Sequence, residues 1–186
     1  MAYPIDLVPQ QLVALPRASL VALRAALLRD AGAGYAGYLQ EAGYAGGETV
    51  FQAFQDWLAA RGADNVDALS VPAFVTQAAG FFHESGWGSL TVEARHDVVA
   101  IVASEAWAES DPDARLDHPA CHWTTGMFAD FFGRVAHGPL AVLEVECRSA
   151  GGQQCRFIVG SAEVMQHVYE HLTAGAPLDE ALDALA

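Results

Sequence analysis

Apolar residues recur at helical spacing through the first half of the chain and then switch to alternation, a pattern that predicts helices first and hairpins after them. Between 12 and 30, Leu20, Leu23 and Leu27 mark one helix face, with Pro16 delaying the start. A second helix is expected over 48–61, after a break at Gly46-Gly47, with Phe51, Phe54 and Leu58 turned inward. A third, more apolar, runs over 71–84 through Phe74, Ala78, Phe81 and Phe82, and Gly86 and Gly88 close it. Leu90, Val92 and Ala94 then alternate with polar neighbours, Arg95-His96-Asp97 can turn, and Val98, Ala100 and Val102 alternate back as a hairpin. The Asp- and Pro-rich stretch 109–120 reads as the longest loop. Helix returns over 121–135 with Met127, Phe128, Phe131, Phe132 and Val135, and Gly138-Pro139 ends it. A second hairpin pairs 140–147 with 155–159, Ser161 caps a helix to about 173, and 175–186 forms one more short, acidic helix. The expected class is α+β: N-terminal helices, then antiparallel β hairpins forming a sheet packed by helices.

Composition narrows the function classes. A chain of 186 residues buries a substantial core without disulfides, and 53% hydrophobic residues leave room for an apolar pocket as well. The longest uncharged stretch, 69–82, is interrupted by Thr76 and Gln77 and is too short to span a bilayer. Residues 1–10 lack the basic and apolar regions of a signal peptide, so a cytoplasmic protein is expected. The net charge of −14 comes from 23 acids against nine arginines and no lysine. Direct nucleic-acid binding needs a basic patch and is disfavoured, so a transcriptional role would require a partner that touches DNA.

Candidate chemistry centres on Cys121, Cys147 and Cys155, which cannot pair off as disulfides because one sulfur is always left over. A structural zinc site takes four ligands in a tetrahedron, thiolates and imidazoles with an occasional carboxylate. Gly151 and Gly152 permit the turn that would bring Cys147 and Cys155 together. Spacing leaves the fourth ligand open among Glu144, Glu146, His118 and His122. Residues three apart on a regular strand face opposite ways, so Glu144 and Cys147 can share an ion only where the strand bends or bulges. Three thiolates and a carboxylate overcharge the ion, which calls for backbone N–H groups and Arg148 or Arg156 nearby. Packing of the thiols as small hydrophobes fits the spacing equally well, since there is no CxxC knuckle. Phosphate-loop, dinucleotide and nucleophile-elbow motifs are missing. His167 and His171, four apart without the glutamate of HExxH, read as a solvent-exposed pair, and Glu105 and Glu109 as loop or surface charges.

The run from Cys121 to Val159, with Gly126, Glu144, Cys147, Gly151, Cys155 and Phe157, resembles the signature of the 4-vinyl reductase domain family, the predicted hydrocarbon-binding proteins that include the sensor module of phenol-responsive activators. A weaker likeness lies at Glu41–Glu48, which resembles the family's glycine-rich turn after its first helices, so the resemblance spans roughly 32–160. It implies a structural zinc held by Cys121, Glu144, Cys147 and Cys155, selecting Glu144 over Glu146. Four protein ligands leave no open position for water, which makes such a zinc a brace.

Function is then expected from an apolar pocket. Phe81, Phe82, Trp87, Trp107, Trp123 and Phe128, with His83 and His96 as polar hooks, are the expected ligand-binding residues, ordinary core packing being the alternative for each ring. Phenol-sensing relatives hold the ligand hydroxyl with a His and a Trp. The segment ahead of Trp87 reads Val71-Pro72-Ala73-Phe74, so a larger or less polar ligand than phenol is expected. The resulting reading is a binding module, sensor or carrier, for a hydrophobic aromatic, hydrocarbon or tetrapyrrole-like ligand. The alternative that the resemblance implies is a 4-vinyl reductase-type enzyme or accessory subunit of bacteriochlorophyll biosynthesis. The lack of a recognisable site for NADPH, flavin or an iron–sulfur cluster favours binding. A scaffold role is the third reading, because a similar mixed fold occurs in vesicle-tethering subunits. Residues 1–31 are expected to form a helical extension, with a homodimer built on its leucine stripe as in dimeric sensor relatives, 32–174 the ligand-binding domain, and 175–186 a tail. Signalling would pass to a separate protein partner.

Overall fold

The computed structural model describes residues 5, 7–63, 65–95 and 98–185. Six helices and four strands follow in the order α1 (Arg17–Ala31), α2 (Tyr35–Ala59), α3 (Val71–Glu84), β1 (Thr91–Arg95), β2 (Val99–Ser104), α4 (His122–Val135), β3 (Ala141–Glu146), β4 (Cys155–Gly160), α5 (Ala162–Thr173) and α6 (Leu178–Asp183). The sheet is antiparallel throughout with strand order β1-β2-β4-β3. It is the middle layer of three. Val102 and Phe157 face the large core shared with α2, α3 and α4, whereas Val99 and Ile158 face a smaller core closed by Met165 and Val168 of α5 and Ala181 and Leu182 of α6.

Local chemistry sets the ends of several elements. Ser70 Oγ accepts the Ala73 N–H at 3.4 Å with Pro72 in the first turn of α3, and Ser161 Oγ accepts the Val164 N–H at 3.2 Å to start α5. The turn between β1 and β2 includes His96 and Asp97, which lie outside the described residues.

The expected break at Gly46-Gly47 does not exist, and neither does a glycine-rich turn over 41–48. One helix, α2, runs unbroken from Tyr35 to Ala59. The reason lies across the interface. A Cβ at Gly43 would overlap the Trp123 carbonyl, and one at Gly126 would overlap the Gln40 carbonyl, so α2 and α4 meet backbone to backbone. These glycines serve close approach within a helix, at a propensity cost of roughly 1 kcal/mol each. The contact fixes the start of α4, and hence Cys121, against the N-terminal half of the molecule.

Candidate metal centre

Four residues from three segments converge at the start of α4. Cys121 immediately precedes α4, Glu144 lies on β3, Cys147 follows that strand, and Cys155 opens β4. Cys121 Sγ is 3.8 Å from Cys147 Sγ and 3.7 Å from Cys155 Sγ. One ligand atom from each of the four residues lies within 4.8 Å of the others, and all four residues are buried.

The strand geometry that seemed to forbid Glu144 is resolved by a bulge. Glu144 pairs with Phe157 but Glu146 pairs with Arg156, so an extra residue on β3 shifts the register between them. Past it, Glu144 and Cys147 reach the same point. The other candidates are engaged elsewhere. Glu146 accepts the backbone N–H groups of Gln153 and Gln154 at 3.0 and 3.2 Å and pairs with Arg156 at 3.0 Å, anchoring the hairpin loop. Partial burial works to raise its carboxyl, but those bonds together outweigh it and hold the group below the usual range. His118 and His122 turn to Tyr35. Asp117 Oδ1, 2.5 Å from His118 Nδ1, places the proton there, so Tyr35 donates to His118 Nε2 at 2.7 Å and accepts from His122 Nε2 at 3.1 Å. Burial, helped by the neighbouring His118, lowers the His122 pKa to about 4 and keeps it neutral.

The electrostatics are those of a site short of a cation. Burial, then the charge of Cys147, raises Glu144 well above the carboxylate range. Bonds from the Cys121 and Cys155 thiols hold Cys147 well below the thiol range, which makes it the first of the three to ionise. Cys121 is raised by its contacts with Cys147 and Cys155 and by burial. Cys155 is pushed up to about 12: the Cys121 contact works against this, but Cys147 and burial outweigh it. Glu144 Oε2 accepts the Cys121 N–H at 2.8 Å, while Oε1 is buried with no hydrogen-bond partner. An orphaned carboxylate oxygen beside three sulfurs fits a metal ion, since such a group otherwise loses its solvation without return. The sulfur separations also match the edge of a tetrahedron whose thiolates sit about 2.3 Å from the centre, about 3.8 Å. Backbone N–H groups of Ala120 and Arg148 reach the sulfurs of Cys147 and Cys155 and spread the negative charge. Arg156, expected to help, is spent on Glu146.

Glu109 is the residue that sequence reasoning misplaced. It lies in the loop, but it is buried, and its carboxylate accepts Trp123 N–H at 2.9 Å, Thr124 N–H at 2.8 Å and the Thr124 hydroxyl at 2.6 Å. Cys121 provides no side-chain cap for α4, so Glu109 supplies the missing acceptor from outside the helix. That unfilled need at Cys121 was the available signal. Burial raises the Glu109 pKa to about 7, against the pull of those hydrogen bonds. Glu105 is exposed as expected, and His167 and His171 are half-buried with ring centroids 4.2 Å apart.

The aromatic residues form one array. Phe81, Phe82, Trp107 and Phe128 are each no more than 1% exposed and pack ring to ring, Trp107 lying 5.3 Å from Phe128 and 5.8 Å from Phe82. Trp107 Nε1 donates to Thr124 Oγ1 at 2.6 Å. Trp87 stacks on Trp107 at 5.5 Å and is half-buried, as is Trp123; His83 is exposed. His96 lies outside the described residues. A separate open groove of about 530 Å³ runs between α2, α4 and the turn after α4, lined by Tyr44, Phe51, Val66, Asp130, Arg134 and His137 among others. No helix among the described residues is long and apolar enough to cross a membrane.

Residues 109–161, which hold all four members of the tetrad, match the 4-vinyl reductase domain. The chain resembles the 4-vinyl reductase domain family. An uncharacterized protein of Methanocaldococcus jannaschii, MJ0745, is 29% identical over 79 residues, a match that covers 42% of each chain, less than half the length of that relative. The phenol-responsive sensory domain of the transcription activator PoxR, solved with phenol, superposes with a TM-score of 0.64 at 18% identity, over 82% of this chain and 77% of that one. A trafficking protein particle complex subunit 3 from Naegleria fowleri, covalently bound to palmitic acid, superposes with a TM-score of 0.57 at 12% identity, over 77% of this chain and 91% of that one. At these identities both structures establish a shared fold. The family match adds that the segment in common carries the tetrad.

Proposed function

We propose that this protein is a small-molecule-binding module, a sensor or carrier for a hydrophobic aromatic, hydrocarbon or tetrapyrrole-like ligand, whose fold is braced by one structural zinc on Cys121, Glu144, Cys147 and Cys155. The observation that carries the reading is the coincidence of a 4-vinyl reductase domain segment with the buried tetrad in the fold of a phenol-sensing domain. Zinc bound there would tie the start of α4 to the β3–β4 hairpin, and its binding free energy would add to that of folding. With four protein ligands the ion keeps no open position, so it acts as a staple.

Ligand recognition is assigned to the aromatic array between α3, α4 and the loop around Trp107, with the half-buried Trp87 and Trp123 as the rings an incoming molecule meets first. Dimerisation through α1 belongs to the same reading: Leu23 is 43% exposed, and Leu20 and Leu27 are only half-buried. Output to a partner protein follows from the sensor-like fold. Tryptophan fluorescence of the zinc-loaded chain, titrated with cresol, naphthol and protoporphyrin, tests the ligand class. Saturable quenching by at least one is expected, and a linear response to all three would reject the binding reading.

A further inference from the structure

Helix α1 is tied to the rest of the molecule through a charge. Its one buried residue is Arg24, only 4% exposed. Arg24 Nη1 donates to the Glu109 carbonyl at 3.1 Å and to Ser149 Oγ at 3.3 Å, and Nη2 lies 3.6 Å from the Asp111 carboxylate. These partners belong to the two segments that present the metal ligands. Ser149 sits in the short turn Arg148–Ala150 directly after Cys147, and Glu109 caps the helix that begins after Cys121. Ser149 also accepts the Asp111 N–H on its hydroxyl at 2.9 Å and the Leu116 N–H on its carbonyl at 2.7 Å. Arg24 therefore closes a hydrogen-bonded ring that joins the 109–116 loop to the hairpin tip. Little within α1 itself favours the docked helix: Pro16 gives it no side-chain cap, and its first turn carries no acid.

We propose that α1 is a latch whose docking depends on metal in the tetrad, an inference that rests on the metal reading above. Without the ion, nothing fixes the hairpin tip against the start of α4. Ser149 and the Glu109 carbonyl then no longer hold the spacing that one guanidinium spans. A buried guanidinium that loses its partners is strongly disfavoured, so α1 releases. Linkage makes the effect reciprocal, and a docked α1 must tighten metal binding by the same factor. Metal status at the tetrad is thereby reported to the helix that carries the exposed leucines.

The test is peptide-resolved hydrogen exchange of the chain with zinc alone and with a chelator, together with zinc titrations of variants. Chelation is expected to speed exchange of 17–31 at least tenfold, along with 147–155, while α5 is unchanged. Arg24→Gln and Ser149→Ala are each expected to bind zinc about tenfold more weakly, within the usual range of such couplings, and Arg29→Gln, on the exposed side of α1, as the wild type does. Should Arg24→Gln fail to fold, Ser149→Ala carries the affinity test. Zinc removal that loosens 147–155 but leaves 17–31 unchanged overturns the latch alone. Wild-type protein that takes up no zinc overturns both the latch and the metal reading.

Discussion

Replacing Cys155 by serine removes one of three converging sulfurs and leaves a buried carboxylate and two thiols without their fourth partner. The expected result is loss of bound zinc and about 3 kcal/mol of stability, a Tm lower by roughly 10 °C; unchanged zinc content by atomic emission would dismiss the tetrad. The two neighbouring glutamates separate cleanly. Glu144→Gln should lose zinc, whereas Glu146→Gln should keep it and lose about 1 kcal/mol, because Glu146 holds the hairpin loop through Gln153, Gln154 and Arg156. The pH dependence turns on Glu109. Its folded pKa is raised to about 7 from the ordinary 4.5, so its contribution is fully present below 4.5 and is lost as pH rises through 7. His122, lowered to about 4 from 6.5, acts oppositely, and its contribution is lost as pH falls from 6.5 towards 4. Thermal melts should therefore show a Tm that declines between pH 6.5 and 8, and Glu109→Gln should flatten that limb. An identical slope in the variant would assign the decline to other groups. The sulfurs were legible in the sequence because an odd set of cysteines is scarce and chemically distinctive. Glu109 was not, because its burial is decided by helix N–H groups 14 and 15 residues away.

The elements were largely legible where periodicity and caps agree. Helix α3, both hairpins and the Ser161 start of α5 fall where alternation, 3.6-residue spacing and a capping hydroxyl coincide. Glycine in α2 misled for a physical reason: the same residue that breaks a solvated helix also allows two helices to touch, and only the partner decides which. Gly43→Ala and Gly126→Ala place a methyl group into the facing backbone and should each cost about 3 kcal/mol by forcing α2 and α4 apart. Gly46 has nothing within 4 Å of a Cβ, so Gly46→Ala should instead stabilise by about 0.5–1 kcal/mol. Urea denaturation of the three variants checks both signs at once. The bulge in β3 was legible only as a condition, since Glu144 and Cys147 could meet only if the strand yielded between them, and it does.

For the whole molecule, the account joins a three-layer fold, a metal brace at the α4–hairpin junction and an aromatic array into one binding device. Dimerisation through α1 predicts a two-chain species in sedimentation velocity at micromolar concentration, weakened by Leu23→Glu, which puts a charge on the exposed stripe; a monomer at every concentration would remove that element and leave the tetrad untouched. The most direct test of the central claim is native mass spectrometry of the purified protein set against its denatured mass, since one spectrum reports metal and bound small molecule together. The account predicts one zinc per chain and a co-purified hydrophobic mass that leaves on denaturation. A native mass equal to that of the bare chain would contradict it, returning the cysteines to ordinary core packing and the family likeness to a statement about fold.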